Sequence, residues 1–220
     1  MEPAMRYVKG HGLQTRSRIV EEASYALRQG GADGMSVADL MKLAGLTHGG
    51  FYAHFESREA LVVEAFALAM DRKLSQWLKL MKGMPVEKRF DVIVEEYLSP
   101  GHRDDRAHGC VLPALGADIA RSGKKARHIF ARKLDEMIDV VTMLFPKKSP
   151  KEARQIAAGA LATMMGSIAL ARAVGDEKLS DEFLEAGRHA LSGQSAGRGA
   201  RIASSARRPD KSCKEKSDHD

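Results

Sequence analysis

Thr47, His48, Gly49 and Tyr52 place a hydroxyl, an imidazole, a bare stretch of backbone and a phenol within six consecutive positions. With helical periodicity, Phe51 and Phe55 fall at i and i+4 on one inward face, and those four residues are left at the outward, N-terminal end. Polar residues at that end are what a recognition helix offers to the major groove of DNA. The pair Gly49-Gly50 lowers helix propensity but lets backbone come close to base edges, and His48 is the only long polar side chain beside it. Base reading by this stretch is therefore expected to be sparse.

Cys110 is the second candidate. It is expected near the start of a short helix over about 110–120, where the helix dipole favours a thiolate, with Arg106 and His108 just before it. A small buried hydrophobe is the alternative, and both readings fit the sequence. His102, Asp104, Asp105 and His108 carry metal-ligating atoms, but their run, HRDDRAH, reads as a solvated loop. Cys110 and Cys213 lie far apart and form neither a disulfide framework nor a metal-ligand spacing. There is no Gly-rich phosphate loop, Ser/His/Asp grouping or paired-carboxylate motif, so neither an enzyme nor a metal or cofactor is expected.

These candidates need helices to position them. Ser36 is expected to cap one helix, with Asp39 three residues on completing a capping box, and Val37, Leu40, Met41 and Ala44 form its buried stripe. Gly45 ends that helix because a residue without Cβ enters the left-handed conformation cheaply, and Leu46 plugs the angle before Thr47 caps the next helix, expected to run to Phe55. This is a helix-turn-helix. A preceding helix over 13–29, with Ile19, Ala23, Ala26 and Leu27 inward and Gly30-Gly31 closing it, should pack behind.

The string Ser36-Val37, Asp39-Leu40, Ala44-Gly45-Leu46-Thr47, Gly50-Phe51-Tyr52, His54-Phe55 and Ser57-Arg58-Glu59-Ala60-Leu61 closely resembles the DNA-binding domain of the TetR family of bacterial transcriptional regulators. The specific match covers roughly 15–65. Leu27 stands where the family usually has an aromatic residue and Arg58 where it usually has lysine, and both changes keep the hydrophobic or cationic role. The resemblance implies that Thr47, Tyr52 and His54 contact phosphate through hydroxyl or ring N–H, that Arg58 adds a cation from the next helix, and that His48, Gly49 and Gly50 face the bases. Core support for the helix-turn-helix is the alternative role of Tyr52 and His54. The segment from Gly109-Cys110 to Ile119-Ala120-Arg121 also looks like a branch of the family in which a cysteine is common, and some related regulators sense electrophiles or oxidants through one.

Beyond this head the chain reads as helical throughout. Ser57 opens a helix with Leu61, Val62, Ala65, Phe66, Ala69, Met70, Leu74, Trp77, Leu78 and Met81 as its stripe, too long for the head alone. A helix after Met84-Pro85 carries Phe90, Ile93, Val94 and Tyr97, and another carries Phe130, Leu134, Met137 and Val141 up to Phe145-Pro146. Ser149-Pro150-Lys151-Glu152 caps a helix to about Ala173 that is apolar on all sides and rich in Ala and Gly, so it must be covered all round. Ser180-Asp181-Glu182 is expected to cap the last helix, to about Leu191.

The expected fold is all-α. A mobile stretch over 1–12 precedes a helix-turn-helix domain over 13–56; a helical ligand-binding and dimerisation core over 57–191 follows, then a disordered basic tail over 192–220. The opening MEPAMRYVKGHG has no apolar core, and the uncharged stretch 156–171 is too short to span a bilayer, so a cytoplasmic protein without a membrane partner is expected. Net charge is +6, yet residues 1–60 hold seven Lys and Arg against seven Asp and Glu, so any DNA affinity rests on where charge sits. The resemblance implies a homodimer built on the last two helices, a small-molecule inducer and double-stranded DNA as partners, with repression relieved by ligand. The competing class is a helical ligand-binding or interaction protein without operator binding. Such a protein is expected to have lost Tyr52, His54 or the cation at Arg58, and here all three are present.

Overall fold

The computed structural model describes residues 9–32 and 36–192, and among these it is all-α, without strands. The order is α1 (Lys9–Gly30), α2 (Val37–Leu43), a 3₁₀ helix (His48–Ala53), α3 (Arg58–Leu80), α4 (Val86–Tyr97), α5 (Pro100–Asp104), α6 (Leu112–Arg121), α7 (Lys124–Thr142), α8 (Pro150–Ala173) and α9 (Glu177–Leu191). The remaining residues of the expected N-terminal stretch, Arg6 among them, and the tail with Cys213 lie outside the described residues.

Local chemistry sets most boundaries. Ser36, Ser57 and Ser149 each accept a hydrogen bond from the backbone N–H three residues on, at Asp39, Ala60 and Glu152, satisfying an N–H that the first turn leaves without a partner. Gly45 follows α2 at φ +71°, the left-handed turn that a Cβ would strain. The stripe on α3 buries Leu61, Ala65, Phe66, Ala69, Met70, Trp77 and Met81, and each large apolar side chain so buried contributes about 1.5–3 kcal/mol.

Five expectations are corrected. α1 begins at Lys9, so part of the stretch assigned to a mobile N-terminus is helical. The segment from Ser99, expected to be loop, contains α5, because the Ser99 hydroxyl accepts from the His102 N–H and Pro100 sits in the first turn, where its missing N–H costs nothing. α6 starts at Leu112, two residues after Cys110. α9 starts at Glu177 under an Asp176 cap, which leaves Ser180 inside the helix, its Oγ donating to the Ala171 carbonyl at 2.7 Å. Leu78 is exposed, while Lys73, five residues earlier on α3, is buried. Its ammonium is held by both oxygens of Glu96 at 2.8 and 3.0 Å, since a buried charge survives only when paired.

α1 packs on α3, α3 on α7, α7 on α8 and α8 on α9, while α6 bridges α1 and α8. One cluster of buried side chains runs from Ile19 to Leu191. α8 is long and apolar enough to cross a membrane by length and composition, but here it is the central helix against which α6, α7 and α9 pack.

Candidate nucleic-acid interface and its link to the core

The recognition segment is shorter and tighter than an α-helix. His48–Ala53 forms a 3₁₀ helix, with the Gly50 N–H bonded to the Thr47 carbonyl at 3.0 Å. Two glycines, each worth about 1 kcal/mol less than alanine in a helix, sit in a segment too short to repay α nucleation. Thr47 occupies the N-cap position with extended backbone, but its hydroxyl makes no capping bond, in contrast to the cap expected of it.

Behind this segment the anchor is aromatic. Phe51 and Phe55 are buried and stack at 5.5 Å, and Phe51 meets the Tyr52 ring edge-on at 5.2 Å. Arg16 on α1 lies 4.7 Å over the Phe55 ring, donates from Nε to the His54 carbonyl at 3.3 Å, and forms a bidentate pair with Glu64 of α3. One guanidinium thus fastens the C-terminal end of the recognition segment to both flanking helices. No local sequence signal marks Arg16, because its partners lie 38 and 48 residues away.

The outward face is open. Thr47, His48 and Gly49 are exposed, and Tyr52 is 71% exposed, so the Tyr52 side chain is not core support. Added at Gly49, a Cβ would meet nothing; at Gly50 it would touch the Met41 methyl at 3.6 Å. His54 is half-buried beside its Arg16-bound carbonyl. Arg58 is half-buried as well, and one of its nitrogens donates to the Ala32 carbonyl, tying the start of α3 to the segment after α1.

Three further bonds join this head to the rest. Arg28 Nη1 on α1 donates to the Ala107 carbonyl at 2.8 Å, the Ala32 N–H to Asp118 Oδ2 at 3.0 Å, and the Gly123 N–H to Glu59 Oε1 at 3.2 Å. The loop bearing Ala107 is held in turn by His102, which is 7% exposed. Its Nε2 accepts the Cys110 N–H at 2.8 Å, and its Nδ1 faces the Tyr97 carbonyl at 2.6 Å. Only the neutral tautomer with hydrogen on Nδ1 satisfies both contacts. Burial, with Lys73 and Arg172 adding positive charge nearby, pushes His102 down to about 4. Arg172 of α8 closes the arrangement by donating to the carbonyls of His102 and Arg103 at 2.7 and 3.0 Å.

Cys110 is fully buried beneath this loop. The expected electropositive neighbours turn elsewhere. Arg106 donates to the Arg172 carbonyl, and His108 bonds Asp105 at 2.9 Å. Among the described residues no group of three or more His, Cys, Asp or Glu is placed to hold a metal ion.

Among the described residues the chain is all-α, with a helix-turn-helix in an N-terminal head joined to a larger helical core. A sequence profile described as bacterial regulatory proteins of the tetR family matches residues 19–65. An uncharacterized HTH-type transcriptional regulator of Bacillus subtilis (strain 168), YdgC, is 30% identical over 82 residues, covering 36% of this chain and 42% of that protein. Similar solved structures include a TetR transcriptional regulator from Chloroflexus aurantiacus J-10-FL, with TM-score 0.68, 22% identity, and coverage of 83% of this chain and 94% of that one. Another is a TetR-family regulator from Cytophaga hutchinsonii, with TM-score 0.71, 19% identity, and coverage of 83% and 96%. The reduced form of E. coli NemR matches with TM-score 0.67 and 19% identity, over 81% and 95%. Residues 19–65 thus match the tetR-family model, and the described residues share their fold with solved regulators of that family.

Proposed function

We propose that this protein is a ligand-released transcriptional repressor that binds an inverted-repeat operator as a homodimer in the cytoplasm. The observation that carries the reading is the division of the recognition segment into a buried aromatic anchor and an open polar face. Thr47, Tyr52 and His54 contact phosphates and set register, while His48 and the backbone of Gly49 and Gly50 meet base edges. Arg58 holds α3 to the segment after α1 and adds a cation beside the phosphate-contacting residues.

Dimerisation is supported by α8. Ala158, Ala162, Gly166 and Leu170 follow at intervals of four on one stripe and are all exposed, beside an exposed Gly159. A Cβ at Gly159 or Gly166 would meet nothing within the chain. Small residues on an otherwise apolar helix allow a two-fold partner to come close. The head-to-core bonds at Arg28, Ala32 and Glu59 provide the route by which a bound ligand alters the spacing of two recognition segments, which must fit one DNA register. The burial of Cys110 favours a reversible ligand over an electrophile as the signal.

The test is to incubate the purified full-length protein with fragmented genomic DNA and sequence what it retains. An enriched inverted repeat, with affinity falling steeply as salt rises, is expected. Retention without sequence enrichment, or binding that persists when Tyr52, His54 and Arg58 are replaced together, overturns the assignment and leaves the alternative of a helical binding protein without an operator.

A further inference from the structure

Between α1, α3 and the loop over 105–109 lies a cavity of about 210 Å³ whose walls include Tyr25, Arg28, Arg72, Lys73, Gln76 and His108. Among the described residues no acidic side chain lines it. Two of its three cations are answered nearby, Arg72 by Glu21 at 2.7 Å and Lys73 by Glu96 at 2.8 Å. Arg28 is different. It is only 4% exposed, and among the described residues it forms no ion pair and its Nε has no hydrogen-bond partner. Its contacts are the Ala107 carbonyl and the Tyr25 ring, over which its guanidinium sits at 5.5 Å. A buried guanidinium in this state lacks the charge that ordinarily accompanies burial. Burial and the like charge of Arg72 both push Arg28 below its ordinary pKa, in keeping with a missing counter-charge.

A second cavity of about 380 Å³ adjoins the first, sharing Lys73, Gln76, His108 and Gly109, and it has Trp77 and Leu80 in its wall; its two carboxylates, Glu96 and Asp105, are engaged by Lys73 and His108. We propose that the two together bind a small organic anion, with its carboxylate on Arg28 and its hydrocarbon body against Trp77 and Leu80, and that this anion is the inducer. The regulatory half rests on the repressor reading given above; the binding half does not. Tyr25 and Arg28 belong to α1, whose packing on α2 and α3 positions the recognition segment, whereas Gly109 and His108 belong to the core loop. A carboxylate that captures the Arg28 guanidinium competes with the Ala107 carbonyl, which is a direct bond between head and core.

The test uses the intact protein and two probe pairs, benzoate against benzamide and hexanoate against hexanamide. Emission from the single tryptophan, Trp77, reports occupancy without DNA. Saturable binding of the acids and at least tenfold weaker binding of the amides is expected, as for loss of a charge-assisted contact. Arg28→Met should abolish the difference. Because that variant removes a buried group, Gln76→Glu is the companion; Gln76 is exposed, and a carboxylate there should repel the anion and weaken acid binding about tenfold or more while leaving the fold intact. Equal binding of acids and amides, no binding of either, or full affinity in Gln76→Glu overturns the site. If the acids bind but operator complexes persist in a gel-shift assay, the inducer role is overturned and the anion site stands.

Discussion

Replacing His102 with glutamine should flatten the acid limb of the stability curve. In the folded protein His102 Nε2 accepts the Cys110 N–H, so protonation would set two donors against each other in a buried space already bordered by Lys73 and Arg172. Its pKa is about 4 when folded against an ordinary 6.5 when unfolded. Above 6.5 both states are neutral and the stability is fully present. As pH falls from 6.5 towards 4, the unfolded chain takes up a proton that the folded chain refuses, and stability drains away by roughly 3 kcal/mol in all. Glutamine can still accept the Cys110 N–H but does not titrate, so the variant begins less stable near neutrality and loses less on acidification. Urea unfolding followed through Trp77 at about pH 7.5 and about pH 4.5, at one fixed protein concentration, should show wild type losing about 2–3 kcal/mol more than the variant. Carboxylates titrate alike in both proteins and cancel in the comparison. Equal losses would refute a neutral, buried His102 and with it the account of how the loop over 105–109 is docked.

Tyr52→Phe keeps the edge contact with Phe51 and removes one hydroxyl, so affinity for every operator should fall by about 1 kcal/mol, while His48→Ala should change base preference in a selection from random DNA. Gly187→Leu should destabilise the fold by about 1–3 kcal/mol in thermal unfolding, because even a Cβ there would lie 2.5 Å from Ser167 Oγ and 2.9 Å from a Leu98 methyl. Gly166→Leu, with open space inside the chain, should leave the subunit folded but shift sedimentation towards monomer; an unchanged dimer places the interface elsewhere. In a Cys213→Ser background, the Cys110 thiol should resist a thiol reagent until urea unfolds the protein, and rapid reaction in the native state would restore the electrophile-sensor reading.

The longer helices, the caps at Ser36, Ser57 and Ser149, the Gly45 turn and the inward pair Phe51 and Phe55 were legible in the sequence, because each is decided by residues within one or two turns of one another. The four outward positions of the recognition segment could be named for the same reason. The helix expected from Thr47 to Phe55 is instead a 3₁₀ helix over His48–Ala53, because Gly49-Gly50 lowers helix propensity in a segment too short to repay nucleation. Tertiary structure decided everything that depends on partners distant in sequence. Arg16 clamps the recognition segment through Phe55, His54 and Glu64, and Arg58 spends a donor on Ala32. His102, read from sequence as part of a solvated loop, is instead buried against Cys110, for which burial was one of the two readings. Lys73 and Arg28 are buried cations that no apolar periodicity reveals, since a long side chain reaches its partner over a distance that local spacing does not encode.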